Sequence, residues 1–353
     1  MAGKQGVGLR TACPGLRLCP HLRYAPQVIQ ETLVSFLSTY LVPPADHTPV
    51  QNDQGVVCSF GNPADELQSS ISDVVCVEDA GFHVINVTGD DRLRVLHNLT
   101  TNDIQKLQPG DVCETFFTTV KARIVQNGYV SCHGDSHRIW LPGGPLREFL
   151  GHLKKYAFRS DVAFEVVETP VSMLIGPNVP PIVSGPAGSS FVTSGLCGIR
   201  QSWGGSPVVL FTADAAGDGD VQELQFSGRS LVEHWRIQER LPVTGVDLTE
   251  EHLAPEAGRN AAAISYQKGC YLGQEPIARI HAMGHVNRQL YRCRPGDETS
   301  EEPKGKATSF SNVTGQSPTA LVVLRVSDSA VPVPVTLPVG SVVMATVAGA
   351  DVS

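Results

Sequence analysis

Short runs rich in Val, Ile, Thr and aromatic residues recur along the 353 residues, separated by Gly- and Pro-marked turns, and helical spacing surfaces in only a few windows between them. That pattern argues against a coiled coil and predicts a globular, loop-rich chain of mixed α and β structure, of α+β class. VVCV (74–77) and FHVINV (82–87), joined by Glu78–Gly81, read as a hairpin. TFFTTV (115–120), RIVQNGYVSC (123–132) and HRIWL (137–141) read as antiparallel strands that turn at Asn127-Gly128 and at His133–Ser136.

Three windows switch to helical spacing. Leu93, Leu96 and Leu99 share one face behind Asp90 as a cap, and Leu146, Phe149, Leu150 and Leu153 share one face of 145–157. Ser230 with Glu233 forms a capping box that opens a helix over 231–239, ended before Pro242. A β-rich segment at 162–176 runs into a Pro/Gly/Ser stretch at 177–190 that reads as a surface loop. Beyond His285 the Val-, Pro- and Thr-rich alternation predicts a small β-barrel or sandwich. The resulting division is a flexible leader (1–55), a folded body (56–284) and a C-terminal barrel (285–353).

The leader carries Lys4, Arg10, Arg17 and Arg23 with no acid before Glu31, the charge bias of an organelle transit peptide. Pro14, Pro20 and Pro26, and the absence of serine before Ser35, argue against an amphipathic transit helix. The expected compartment is the cytoplasm, with the mitochondrial matrix as the alternative. No apolar run reaches the roughly 20 residues a membrane-spanning helix needs. The nine cysteines are odd in number, scattered and free of CxxC pairs, which excludes a disulfide framework and a structural zinc site and suits a reducing compartment. Lys and Arg total 27 against 35 Asp and Glu, and the net charge of −8 argues against a duplex nucleic-acid binder while leaving room for a local basic pocket. His133/His137 and His281/His285 are four apart, but the first pair lies in a turn and the second spans Gly284, so no metal site is expected.

Residues 262–294 concentrate reactive and polar groups as no other window does. Gly269 and Gly273 bracket Cys270 and Tyr271, and Gln274-Glu275-Pro276 reads as a helix start, with Pro276 in the first turn and Glu275 at the positive end of the dipole. Cys270 would then sit just ahead of a helix N-terminus, with Lys268 and Arg279 near enough to favour thiolate over thiol. That is the chemistry of a nucleophile or a soft-metal ligand.

Lys268, Gly269, Cys270, Tyr271, Gly273, Gln274, Glu275, Ala278 and Arg279 match a KGCYxGQE run followed by Ala-Arg. On these residues the chain resembles the folate-binding YgfZ family, a branch of the glycine-cleavage T-protein (aminomethyltransferase) superfamily. VTGDDRLRVLHNLTTND, RIQERLP with GVDL, LAPEAG and GHVNRQL extend the likeness over about 70–295. The resemblance implies a T-protein-like fold of mixed α/β subdomains with a terminal β-barrel. It further implies a tetrahydrofolate pocket and a role in maturation or repair of iron–sulfur enzymes, those that thiolate or methylthiolate tRNA included. Implied partners are iron–sulfur client or assembly proteins. Implied site residues are Cys270, Lys268, Tyr271, Gln274 and Arg279 for chemistry, and Asn127, Gln238, Asn102 and Glu275 for the cofactor. Trp235 is a further candidate to stack on a pterin.

Three departures bear on the activity. Asn127 stands where the resemblance places the T-protein aspartate, and an amide cannot act as a carboxylate base. Gln238 stands at the pterin-binding glutamate and Arg240 where relatives carry glycine. Ordinary aminomethyl transfer is therefore disfavoured. A tetrahydrofolate-dependent aminomethyltransferase or demethylase and a non-catalytic scaffold are the alternative readings.

Overall fold

A computed structural model describes residues 49–180, 183–193, 196–213 and 224–348. The leader therefore lies outside the described residues except at its end, where Val50–Gln51 pairs with Val57–Ser59. Two sheets make the body. In the five-stranded sheet the order is Val112–Thr118, Ile124–Cys132, His137–Leu141, His83–Thr88 and Ala163–Val167. The six-stranded sheet runs Ser189–Thr193, Leu196–Trp203, Ser206–Ala213, Ser172–Ile175, Val75–Val77 and Gln225–Phe226. Trp140, Trp203, Tyr129 and Trp235 belong to the large core that the two sheets share.

The strands at 75–77 and 83–88 do not form the expected hairpin, because each belongs to a different sheet. Val75, Cys76 and Val77 are buried on both faces, and such an interior strand needs a partner at each edge. It finds Ser172–Ile175 on one side and Gln225–Phe226 on the other. Asn127-Gly128 is not a turn either: it lies within the strand Ile124–Cys132. Gly128 is required there by close approach, since a Cβ would stand 2.2 Å from the Trp140 carbonyl oxygen. The chain reverses instead at Thr119–Arg123, with Ala122 in the left-handed region and no glycine to signal it. The reversal at His133–Ser136 is present.

Helix Arg92–Leu99 follows Asp91 rather than Asp90, turns Val95, Leu96 and Leu99 inward and leaves Leu93 at the surface. Helix Leu146–Tyr156 buries Phe149 and Leu153 as its spacing predicts. Helix Arg229–Glu239 starts at Gly228 without a capping box, because Glu233 reaches forward to the Arg236 guanidinium at 2.7 Å. In the stretch read as a surface loop, Val179 and Val183 are buried and the strand Ser189–Thr193 has already begun.

Beyond residue 287 five strands close into a barrel, in the order Arg288–Glu298, Thr319–Arg325, Gly305–Ser311, Val333–Thr336 and Val342–Val347. The barrel packs on helix Arg229–Glu239 through polar groups: His234 meets Ser311, and the Arg236 guanidinium donates to the Ser309 hydroxyl while pairing with Asp247 of the body at 2.8 Å.

Candidate functional site

The signature segment is stitched to the five-stranded sheet and helix Arg92–Leu99 on both sides of Cys270. Upstream, the Thr101 hydroxyl donates to the Ala263 carbonyl at 2.6 Å and the Asn102 amide to the Ala262 carbonyl at 2.9 Å. The buried Lys268 ammonium donates to the carbonyls of His97, Thr100 and Asn102 at 2.6, 2.7 and 2.7 Å. Those carbonyls lie at and beyond the helix's C-terminal end, where orphan acceptors and the negative end of the dipole welcome a cation. Burial pushes the Lys268 ammonium down to about 7, against the upward pull of Asp103. The ammonium also lies 4.9 Å above the Tyr271 ring.

Downstream, the Leu272 N–H donates to the Asn98 carbonyl and its own carbonyl accepts from the Thr118 hydroxyl at 2.6 Å. Gly273 turns the chain at φ +87°, and a Cβ there would stand 2.6 Å from the Thr119 carbonyl oxygen. Between these anchors Cys270 is exposed. It opens onto a cleft of about 390 Å³ lined also by Arg94, Val95, Asn98, Leu99, Tyr156, Tyr271 and Leu272. A thiol on a backbone fixed at both flanks keeps its position while a ligand approaches.

The charges around the sulfur differ from expectation. Helix Gln274–Met283 begins four residues after Cys270, behind Gly273, so the thiol is not at the helix cap. Lys268 is committed to three carbonyls, and the exposed Arg279 pairs with Glu275 at 2.9 Å. Among the described residues neither cation makes a hydrogen bond or ion pair to the sulfur. Tyr271 is buried, and burial pushes its phenol up to about 12. Gln274 occupies the first turn of the helix, its N–H bonded to the Tyr271 carbonyl.

The residues expected to hold a cofactor do not converge. Asn127 is 1% exposed; its amide donates to the Pro242 carbonyl at 2.9 Å and accepts from the Thr244 hydroxyl at 2.6 Å. Gln238 faces the barrel, where it meets Thr319 and Arg292. Asn102 ties residue 114 to Ala262, and Glu275 stands at the surface with Arg279. Trp235 is a core residue whose indole donates to Ser70 at 3.1 Å. His281 stacks on Tyr266 at 3.7 Å and His285 meets the Met283 carbonyl, so neither histidine of that pair is arranged with the other as a ligand set.

Sequence reasoning missed two features here. Tyr156, Arg94 and Asn98 line the cleft, although the helices that carry them were read only for their buried faces. Arg259 forms a bidentate pair with Glu114 and reaches the Glu239 carboxylate at 3.0 Å, in a position that LAPEAG spacing alone does not reveal. Burial works against this guanidinium, but Glu114 and Glu239 outweigh it and raise its pKa.

No family model matches the chain. Among solved structures, the glycine cleavage system aminomethyltransferase T of Bartonella henselae superposes with a TM-score of 0.71 over 86% of this chain and 94% of that one, at 14% identity. The fold is thus the aminomethyltransferase fold. A chloroplastic protein of Arabidopsis thaliana with the provisional name of transferase is 26% identical over 86% of this chain and 80% of its own length. The tRNA-modifying proteins YgfZ of Colwellia psychrerythraea and Vibrio vulnificus are 21% and 25% identical, over 63% and 62% of this chain and 72% and 69% of theirs. The chain is similar to the YgfZ proteins.

The aminomethyltransferase fold and the YgfZ family are linked to folate in general. Asn127, Gln238, Asn102 and Glu239 each make hydrogen bonds within the protein, Glu239 to Arg259. Asn127 is the buried one of the four, and its amide must release a partner before it can receive a ligand through the same groups, whereas the other three are partly exposed. Among the described residues no helix is long and apolar enough to cross a membrane.

Proposed function

We propose that the chain is an accessory protein in the maturation or repair of iron–sulfur proteins and the tRNA modification that depends on them, with Cys270 as its acting thiol. The observation that carries this reading is the exposed sulfur at the mouth of a cleft, on a loop anchored at both ends by Lys268 and Leu272. An exposed, fixed thiol can serve as a nucleophile or as one ligand to a soft metal centre during transfer. The relatives named as tRNA-modifying proteins support the link to tRNA, and the KGCYxGQE run supports the role of the cysteine. Clients or assembly factors that carry iron–sulfur clusters are the partners this reading requires.

The absence of disulfides between described cysteines suits a reducing compartment, the cytoplasm or an organelle matrix. Tetrahydrofolate is the cofactor this reading carries, supported by the aminomethyltransferase fold and the likeness to the YgfZ proteins.

The test is complementation. In cells lacking the native protein, Cys270→Ser is expected to leave iron–sulfur enzyme activity and thiolated tRNA at the level of the deletion, while the wild-type chain restores both. Full rescue by Cys270→Ser removes the thiol from the mechanism.

A further inference from the structure

We infer that the strap Lys154–Arg159, beside the Cys270 cleft, is a docking surface for single-stranded RNA, with Phe158 as a platform on which a base stacks. Phe158 is 75% exposed and Tyr156, at 37%, lines the cleft that holds Cys270. Leaving a phenyl ring in water forgoes the burial that normally fixes its place. Here it is placed by its neighbours instead. Ala157 is buried on one side of it, and Arg159 holds a left-handed backbone with φ 73° on the other. The turn is fastened to helix Arg92–Leu99, since Arg94 donates to the Ser160 hydroxyl at 3.3 Å and the Asp161 N–H to the Asp91 carboxylate at 2.9 Å.

Charge points to the occupant. Residues 146–159 hold Arg147, Lys154, Lys155 and Arg159 against the single acid Glu148, in a chain whose net charge is −8. Asp91 is paired with Arg94, whereas Lys154, Lys155 and Arg159 have no ion-pair partner among the described residues. Lys155 lies 5.4 Å from the Tyr156 ring centre and Arg159 lies 5.5 Å from that of Phe158. Cations alternating with exposed rings match a strand that offers phosphates and base faces in turn. A duplex keeps its base faces stacked inside, so it would meet the cations alone. The inference rests on the proposed function only in that the RNA would lie against the cleft of Cys270.

Binding of a labelled 12-nucleotide U/A-rich RNA to the full chain, followed by fluorescence polarisation over a salt series, tests it. The single strand is expected to bind more tightly than the same sequence in a duplex, and Phe158→Ala to weaken it roughly tenfold. Lys154→Glu with Lys155→Glu should lower the slope of log affinity against log salt by about one to two. Both substitutions fall at exposed positions, so the melting temperature should not move; Lys304→Glu with Lys306→Glu on the barrel should leave binding as in wild type. Absence of binding, preference for the duplex, or equal losses in the barrel variant overturn the proposal, as does capture of anionic vesicles by the strap without RNA binding. Cys270→Ser should bind RNA like wild type. A failed RNA assay therefore leaves the complementation result standing, and a rescued Cys270→Ser leaves the RNA result standing.

Discussion

Around Asn127, Arg259 and Glu239 the polar side chains are matched inside the protein, whereas around Cys270 the backbone is matched and the side chain is left facing solvent. The two regions are built from the same segments: residue 114 meets both Arg259 and Asn102, and Asn102 ties down the short helix Asn260–Ala263 that leads into the signature loop. The closed region thus holds the position of the open one. The residues that the resemblance assigns to folate are thus tied to the frame that positions the exposed thiol.

The largest way to break that contrast is to remove the cation from the closed region. Arg259→Met leaves Glu114 buried without its bidentate partner, and severing one side of a buried pair costs about 3–5 kcal/mol. Urea unfolding should show a loss of that order, and a loss below about 1 kcal/mol would mean that Glu114 finds water and the region is not closed.

Within the signature itself, Lys268 and Cys270 sharpen the same comparison two residues apart. Lys268→Met strands three carbonyl oxygens at the end of helix Arg92–Leu99, with an expected loss of about 2–3 kcal/mol. Cys270→Ser, at an exposed position, should stay within about 0.5 kcal/mol of wild type. Equal effects of the two substitutions in thermal unfolding would erase the distinction between anchor and exposed thiol.

Much of the architecture was legible from periodicity: the three antiparallel strands, the helix that buries Phe149 and Leu153, and the C-terminal barrel. The failures share a cause, because the residues concerned answer to tertiary contacts and not to their own neighbours. Gly128 looks like a turn glycine but is there for the approach of Trp140, and Ala122 turns the chain with no glycine. Val75–Val77 looks like half of a hairpin, yet its partners come from residues 172–175 and 225–226. At the candidate site, the motif singled out Cys270, which the fold leaves exposed, but spacing could not show that Lys268 is taken by carbonyls at the end of another helix. A lysine two residues from a cysteine reads as an electrostatic neighbour until the carbonyls that claim it are seen.

The remaining effect concerns acid and is absent at neutral pH. His133 and His137 lie in the closed five-stranded layer, and burial holds their imidazoles down to about 3 and about 4, while the lining of the Cys270 cleft contains no histidine. Both ring nitrogens of His137 are buried without a partner, so a charge there has nothing to meet it. Below about pH 6.5 the unfolded chain takes up a proton at each of these residues and the folded chain does not, so stability is complete above that pH and is lost as pH falls towards 4. Each histidine contributes at most about 1.4 kcal/mol per pH unit in that window. In His137→Leu, the slope of unfolding free energy against pH between 6.5 and 4 should fall by about one proton, and an unchanged slope would show that His137 already gains a partner when it is charged.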